Sequence, residues 1–411
     1  MQFSKELHNS RNIVYWIFIT LFFLVSLVPM NYLPFKIGEI PFHYIFTSGL
    51  VLLLISLSWL TEKRITLFDK WLLFVIAGFC LSLISSVDRL YTIRSIGSFI
   101  FRGLGIAFIS QRILKNNGKT TSSAILICAS LVCIVGLIEF FFHWNPFSKF
   151  PSFQTHWALS PRSGMAGTMG HPLVLSGYLV LVLPIAIWYI RGRNIILKSI
   201  PLLLISLTIF FSFSRSSWIL SLMLMFFYFY TEKNEFFIRK WKLLLSLIII
   251  ITFFFLFTHS KPLFIERFGF QSLKSSIVHS HRSASYNTTW TVLKKYPFFG
   301  VGLGNYPIAH DFYRAEDSTE YLKTPDNVFL RFLCEIGLIG TAMFIMFIIY
   351  WLHVLWKHRM NSYIFAIFLG LSFFMLNQLV ADLFYWLAPQ FTFWMLLGIA
   401  VGNLKNNKTI I

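Results

Sequence analysis

The sequence predicts an all-α polytopic membrane protein, and three observations support that fold class. Of the 411 residues, 56% are apolar and only 12% are charged, whereas soluble proteins average about 25% charged residues. Aromatic residues make up 19%, including 48 phenylalanines, which suits a lipid-facing surface bounded by interfacial aromatic belts. Apolar stretches of nearly bilayer-crossing length recur along the chain. A soluble enzyme is therefore excluded.

Twelve apolar stretches approach the roughly 20 residues that a transmembrane helix needs. They lie near residues 13–30, 42–60, 71–87, 95–111, 121–143, 171–190, 196–212, 216–230, 243–258, 327–351, 361–381 and 387–402. The seventh and eighth are divided only by a serine-rich segment around Arg215, so one long kinked helix is the alternative there. Residues 1–258 are expected to hold helices one to nine, residues 259–325 a large extracytoplasmic loop with short helices, and residues 326–411 helices ten to twelve.

The distribution of basic residues predicts which loops face the cytoplasm. With the N-terminus placed inside, the inner segments carry 19 of the 35 lysines and arginines, and the short outer segments carry six. The others lie in the long loop and at Arg102 and Arg331 inside helices. Because short cytoplasmic loops concentrate Lys and Arg, both termini are predicted to be cytoplasmic.

The formal net charge of +19 follows from the same distribution. Clusters of cations line the predicted cytoplasmic headgroup layer, where anionic lipids attract them. Membrane lipids are therefore expected partners, and nucleic acid is not. The four cysteines, Cys80, Cys128, Cys133 and Cys334, all fall within predicted helices, so we expect no disulfide and no metal site from them.

Polar residues gather on the predicted outer face of the membrane. A glycine-rich stretch from Arg162 to Pro172 precedes helix six, serines flank Arg215 before helix eight, and Thr324 to Asn327 precede helix ten. Irregular backbone beside a bilayer must be satisfied by protein or by a water-filled cavity. The convergence of these stretches predicts a cavity that opens outward.

Arg215 is the most informative single residue of this set. An arginine at membrane depth is costly unless it meets an anion or a cavity, and its planar fork of donors suits phosphate oxygens. The alternative is an arginine that snorkels to the interface and caps the end of helix seven. The residues alone favour neither interpretation.

The long loop contributes further candidates. Arg267 and Arg282 are separated by a polar run, and the stretch from Ser283 to Lys295 has helical character. Glycines at alternate positions, Gly300, Gly302 and Gly304, then precede Asn305. Glycines permit close backbone approach to a ligand, although a sharp turn explains them equally well.

The start of helix ten carries several charged residues. Thr324 is the expected N-cap and Pro325 the first helical residue, which places Asp326 in the first turn. Arg331 and Glu335 are four residues apart and are expected to pair inside the membrane. The further intramembrane carboxylates Glu139 and Asp382 are each interpreted as counter-ions to a buried arginine.

These stretches, taken together, resemble the O-antigen ligase and polymerase superfamily in order and spacing over roughly residues 160–345. The motifs are Arg162 to Pro172, Ser212 to Trp218, Arg282 with an aromatic residue four positions on, Pro297 to Tyr306, and Thr324 to Gly340. The resemblance implies a membrane glycosyltransferase of the GT-C type in the bacterial cytoplasmic membrane. Such an enzyme moves a glycan from an undecaprenyl-diphosphate carrier to an acceptor glycan or glycolipid outside, and needs no nucleotide sugar, metal or other cofactor.

The resemblance also implies roles for individual residues. Arg215 and Arg282 would hold the carrier diphosphate and stabilise the charge of the leaving group. Ligases commonly carry a histidine, which activates the acceptor hydroxyl, at the position of Asp326. Asp326 is therefore the candidate base, with His171, His281 and His310 as alternatives. The aspartate in place of the ligases' histidine favours a polymerase-like member of the superfamily. The substrate-binding candidates are Arg215, Arg282, Arg267, His171, Gly302, Asn305 and Asn327.

The rival from another functional class is a transporter or flippase of lipid-linked glycans. Its site is expected near the bilayer midplane between repeated halves, often with broken helices. No internal repeat is visible in the sequence, and the candidate groups lie at one face. A structural or signalling protein would leave Arg215 without a role.

Overall fold

The computed structural model describes residues 2–28, 36–37, 40–62, 64–115, 117–147, 165–190, 195–231, 281–314 and 324–404. Apart from an antiparallel pair of two-residue strands, Lys36–Ile37 and Ile40–Pro41, the elements in these ranges are helices. The all-α class is therefore confirmed. The predicted ninth span at 243–258 and the candidate Arg267 lie outside the described residues.

The helices in chain order are α1 (Gln2–Leu27), α2 (Phe42–Thr61), α3 (Leu67–Leu81), α4 (Arg89–Phe99), α5 (Gly105–Ile113), α6 (Gly118–Phe142), α7 (Pro172–Tyr189), α8 (Ile195–Phe211), α9 (Arg215–Thr231), α10 (His281–Lys295), α11 (Tyr306–Tyr313), α12 (Val328–Lys357), α13 (Ser362–Asn377) and α14 (Leu387–Leu404). A π-helical turn, Ile100–Leu104, joins α4 to α5, and a 3-10 turn, Leu383–Tyr385, precedes α14.

Several of these helices can cross a membrane. Within the described ranges, five are long and apolar enough, namely α4 continued into α5, α6, α7, α12 and α14, and four shorter helices are also apolar. Each predicted span that falls within these ranges overlaps a helix. The total of twelve spans stays a prediction.

Small residues allow the central helices to approach closely. Gly398 and Gly402 of α14 face the carbonyl oxygens of Ala107 and Gln111 on α5, and Gly370 of α13 faces the carbonyl of Leu181 on α7. A Cβ atom at any of these glycines would overlap the carbonyl oxygen that the glycine faces. Close backbone contact of this kind drives helix association in lipid, where no hydrophobic effect acts between helices. These close contacts place α7, α13 and α14 at the centre of the bundle.

The serine-rich segment around Arg215 separates two helices. α8 ends at Phe211, and α9 begins at Arg215. Between them, Phe213 has a φ of 53°, a left-handed conformation that a helix interior does not contain. The alternative of a single kinked helix is therefore wrong.

Candidate functional site

α7 and α9 begin beside each other at one end of the bundle. The Ser217 hydroxyl, in the first turn of α9, donates to the Ser176 hydroxyl on α7 across 2.7 Å, and the Ser214 hydroxyl donates to Ser217 across 3.0 Å. Arg215 is the first residue of α9 and is half-buried. It therefore lies at the end of the bundle where α7 starts, which we call the site end.

His171 is the N-cap of α7. Its Nδ1 accepts a hydrogen bond from the backbone N–H of Leu173 at 3.2 Å, and Pro172 fills the first helical position, where a missing N–H costs nothing. Burial lowers the pKa of His171 below its ordinary value of 6.5, and the nearby Asp382 carboxylate opposes part of that shift. The imidazole is therefore neutral at neutral pH.

A buried carboxylate fixes the loop that leads to His171. Glu139 accepts from the backbone N–H groups of Gly167, at 2.6 Å, and Ala166, at 3.3 Å, and from the Asn145 amide at 2.9 Å. The interpretation of Glu139 as a counter-ion to an arginine stays a prediction. Its charge is satisfied by N–H donors, as at an anion-binding nest.

Asn327 is the N-cap of α12. Its side-chain oxygen accepts from the backbone N–H groups of Phe329 and Leu330, and its amide donates to the Leu379 carbonyl at 3.1 Å. The prediction that Thr324 is the cap is wrong, because α12 begins at Val328. The candidate base Asp326 lies before the helix, not in its first turn.

Asp326 has a left-handed backbone with a φ of 47°, which is uncommon for a residue other than glycine. The Thr324 hydroxyl donates to its carboxylate at 3.3 Å. Strained backbone of this kind occurs preferentially at functional sites. The catalytic role of Asp326 stays a prediction.

Arg331 is the centre of a buried ion-pair network. Its Nε donates to Glu335 at 2.9 Å, and its terminal nitrogen donates to Asp382 at 2.6 Å. The guanidinium also lies 3.3 Å above the centre of the Tyr385 ring, a cation–π contact. The predicted pairing of Arg331 with Glu335 is confirmed, and so is the interpretation of Asp382 as the counter-ion of a buried arginine.

Glu335 connects this network to the glycine-rich segment before α11. It accepts from the backbone N–H groups of Gly304, at 2.7 Å, and Tyr306, at 3.3 Å. The Tyr385 hydroxyl donates to the same carboxylate. Burial, followed by the charge of Glu335, raises the pKa of Tyr385, so this hydroxyl stays protonated as a donor.

The glycine-rich segment packs against a break in α12. Gly337 has a φ of 65° inside the helix, and the N–H groups of the two residues after it turn outward to bond Pro297 and Phe298 carbonyls at 2.8 and 3.2 Å. In return, the Gly302 N–H donates to the Glu335 carbonyl at 2.9 Å. A Cβ at Gly300 would come within 2.5 Å of the Cys334 carbonyl oxygen. Contact between two backbones therefore explains Gly300 and Gly337, whereas a Cβ at Gly302 or Gly304 would meet the side chain of Thr92 or Ser95 on α4.

Asn305 is fully buried, and its amide bonds to protein. Its Nδ2 lies within hydrogen-bond distance of the Thr92 hydroxyl at 3.0 Å, the Ser86 hydroxyl at 3.2 Å and the Val301 carbonyl at 2.9 Å. These contacts hold the glycine-rich segment onto the start of α4. The substrate-binding roles of Gly302 and Asn305 stay predictions.

The helix that carries Arg282 lies against the first part of α12. The Cys334 thiol donates to the Thr289 carbonyl of α10 at 3.4 Å. His281 and Arg282 are the first two residues of α10, and their side chains lie outside the described part of the structure. His310, the third alternative base, is fully buried on α11. Among the described residues, no cluster of three or more His, Cys, Asp or Glu could hold a metal ion.

The site end therefore unites distant parts of the chain. The starts of α7 and α9 lie side by side there. The turn between α13 and α14 links them to the first part of α12, since it contacts His171 through Trp386, at 6.2 Å between ring centres, and Arg331 through Asp382. The sequence did not point to Tyr385. The sequence shows only that Tyr385 lies three residues after the predicted intramembrane Asp382. That spacing does not distinguish it from an ordinary aromatic residue of the membrane interface.

Part of the chain that forms this arrangement is similar to a known protein family. Residues 200–345 match the family model for O-antigen ligase. The match covers about a third of the 411 residues and supports an assignment to the O-antigen ligase and polymerase superfamily. No curated protein matches the chain.

The O-antigen ligase segment begins within α8 and ends within α12. It therefore contains Arg215, Arg282 and Asp326, together with the glycine-rich segment and the Arg331–Glu335 pair. The match indicates an O-antigen ligase-like membrane enzyme.

Proposed function

We propose that this enzyme transfers or polymerises an oligosaccharide from an undecaprenyl-diphosphate carrier onto an acceptor glycan at the outer face of the cytoplasmic membrane. The observation that supports this most directly is the place of Arg215. It starts α9 at the site end, with serine hydroxyls on both sides and the start of α7 alongside. A guanidinium at the N-terminal end of a helix, where backbone N–H groups also collect, suits a diphosphate.

Arg282 is proposed as the second cation. It occupies the first turn of α10, a helix that packs on the first part of α12 near Cys334. Two fixed guanidinium groups bind a diphosphate more strongly as negative charge accumulates on it. They therefore stabilise the transition state more than the ground state.

The chemistry is a displacement at the anomeric carbon. The bond from that carbon to the phosphate oxygen breaks, the acceptor hydroxyl oxygen forms the new glycosidic bond, and the diphosphate leaves with both bonding electrons. The hydroxyl proton passes to a base, for which Asp326 is the candidate. This role is supported by its position directly before α12, where the Thr324 hydroxyl donates to its carboxylate.

The geometry makes His171 less suitable as the base. Its Nδ1 accepts a backbone N–H, so the proton of the neutral ring is on Nε2, and that nitrogen is a donor. We propose that His171 donates a hydrogen bond to the substrate. Asp326 in place of histidine also favours a polymerase-like reaction, in which a lipid-linked repeat is the acceptor.

Arginine substitutions test the proposal. Arg215→Ala and Arg282→Ala are expected to reduce glycan assembly in cells by at least about 100-fold, since removal of one donor to a developing anion costs that much. Arg215→Lys should retain part of the activity, because lysine keeps the charge and loses the bidentate fork. Polymer length and yield are measured on gels of envelope glycans.

A matched control uses an arginine at the opposite end of α12. Arg359 follows that helix and lies 4.7 Å from the centre of the Trp356 ring, far from the site end, so Arg359→Ala should leave assembly unchanged. Membrane insertion of each variant is checked by immunoblot. Normal polymer in both Arg215→Ala and Arg282→Ala would contradict the proposal.

A further inference from the structure

α10 has three distinct faces. One packs into the protein through buried residues, Ser285, Thr288, Thr289 and Val292. A second, which we call the aromatic flank, presents Tyr286 and Trp290, four residues apart and therefore on one side of the helix. The third, the polar flank, presents Asn287 and Thr291, about 100° around the helix from the aromatic flank.

The aromatic flank is exposed. Trp290 is 58% exposed and Tyr286 38%, although burial of such side chains is strongly favourable. The Lys294 ammonium lies 5.7 Å from the centre of the Trp290 ring, so a cation sits on the flank itself. The neighbouring Lys295 is directed elsewhere, since it donates to the Tyr313 hydroxyl at 3.0 Å. Tyr and Trp are enriched at protein and membrane interfaces, where one end of the side chain is apolar and the other meets water.

The depth of α10 along α12 indicates what covers this surface. After its break at Gly337, α12 continues to Lys357, which is about 30 Å at 1.5 Å per residue and matches the thickness of the hydrocarbon layer, about 30 Å. No Asp, Glu, Lys or Arg occurs between Glu335 and Lys357. The hydrocarbon layer therefore begins near Gly337, and the residues before it lie at headgroup depth.

α10 and the segment after it contact α12 at this boundary. The Thr289 carbonyl accepts from Cys334, and the Phe298 carbonyl accepts from the N–H of Ile339. Phe298 is 60% exposed beside the exposed Leu338 and Ile339 of the span. An exposed apolar surface thus runs from a membrane-spanning helix onto the extramembrane segment.

We propose that α10 is an interfacial helix whose aromatic flank rests in the headgroup layer of the membrane that α12 spans. Trp290 and Tyr286 take the position of an interfacial aromatic belt, and Lys294 meets anionic phospholipid. The polar flank faces water. This inference goes beyond the proposed function and has one consequence for it: the first turn of α10, with Arg282, is held at the depth of a lipid-linked diphosphate.

Spin labels on the two flanks test the inference. Trp290→Cys and Thr291→Cys form one pair, and Tyr286→Cys with Asn287→Cys a second, each in a Cys80→Ser background because Cys80 is exposed. The full-length protein is reconstituted in vesicles of phosphatidylethanolamine with phosphatidylglycerol. Collision with oxygen, which concentrates in lipid, is compared with collision with a water-soluble nickel chelate. The background protein without an added cysteine reports any labelling of the buried thiols.

Labels at 290 and 286 are expected to show a several-fold higher ratio of oxygen to nickel collisions than labels at 291 and 287. Replacement of phosphatidylglycerol by phosphatidylcholine should reduce that ratio at 290, and an unchanged ratio would overturn the choice of anionic lipid. Equal ratios on both flanks would overturn the inference. The inference would also be overturned if the label at 290 collides freely with the nickel chelate and is shielded only when oligosaccharide is added, because the aromatic flank would then bind glycan. None of these readouts depends on catalysis.

Discussion

Glu335 has the largest number of distinct tasks of any residue at the site end. It pairs with Arg331, accepts from Tyr385, and holds Gly304 and Tyr306 through their backbone N–H groups. Because all four donors converge on one fully buried carboxylate, its loss leaves each of them without that acceptor. Few single side chains connect so many elements.

Glu335→Gln is expected to lower the free energy of unfolding by about 3 kcal/mol, the usual cost of removing one partner of a buried ion pair. Thermal unfolding of the purified protein in detergent measures the change. Glu62→Gln is the matched control, because Glu62 pairs with Lys115 at 2.7 Å in a partly exposed position, where such pairs contribute under about 1 kcal/mol. Equal losses in the two variants would contradict the role of Glu335.

His171 predicts a dependence of stability on pH. Its folded-state pKa lies below 6.5 because of burial, and the unfolded chain has about 6.5. Between these two values the unfolded state binds more protons, so stability rises as pH increases through that window and is reduced below it. His171→Asn keeps a good N-cap and should flatten the dependence. Melting temperatures of the wild-type and His171→Asn proteins between about pH 5 and 7 measure this dependence. Identical pH profiles of the two proteins would refute the assignment of the dependence to His171.

Some of these residues could be predicted from the sequence. Arg331 and Glu335 are four apart on a helix, which is enough to predict their pairing. Asp382 and Tyr385 follow some 50 residues later, and no local pattern says that the turn before α14 packs on α12. Threonine followed by proline is a strong local signal and predicts the N-cap at Thr324, but the left-handed backbone at Asp326 delays the start of the helix to Val328.

At the scale of elements, the break in α12 is the feature on which the site depends. A continuous helix would use the N–H groups of Leu338 and Ile339 internally, and the segment at Pro297 and Phe298 would lose its partners. Irregular backbone at this depth is tolerated only because protein covers it. The break and the glycine-rich segment therefore support each other.

Gly337→Ala is expected to destabilise the protein by about 2 kcal/mol, since the added Cβ would overlap the Phe298 carbonyl and the backbone there is left-handed. Gly97→Ala on α4 is the matched control, because nothing lies within 4 Å of a Cβ at that position, and alanine favours a helix. Thermal unfolding of the two purified variants in detergent measures their stabilities. A Gly337→Ala protein as stable as the Gly97→Ala protein would contradict this explanation.

Helix positions were largely predictable because hydropathy alone defines membrane segments. The break in α12 was not, since Gly337 is one glycine among several in an apolar run. The sequence also left open whether the glycines at 300, 302 and 304 approach a ligand or form a turn. The structure shows a turn, closed by the bond from the Asn305 N–H to the Gly302 carbonyl. In it Gly300 approaches the backbone of α12, and Gly302 and Gly304 approach side chains of α4, contacts of tertiary packing that no local pattern records.

At the scale of the whole molecule, the basic residues predict orientation. Both termini and the segment after Lys357 are expected in the cytoplasm, and the site end outside, because short cytoplasmic loops concentrate Lys and Arg. Fusion of a reporter that is active only after export should give activity after residue 147 and none after residue 359. The reverse pattern would place the site end in the cytoplasm and contradict the proposed outer-face reaction.

The central claim is that this molecule makes a glycosidic bond with a lipid-linked donor. Purified protein in vesicles that contain a labelled undecaprenyl-diphosphate oligosaccharide is predicted to yield a longer lipid-linked glycan and one undecaprenyl diphosphate per bond formed, and the Arg215→Ala protein is predicted to yield neither. Movement of the labelled lipid across the bilayer with no new bond would contradict the account and identify a flippase.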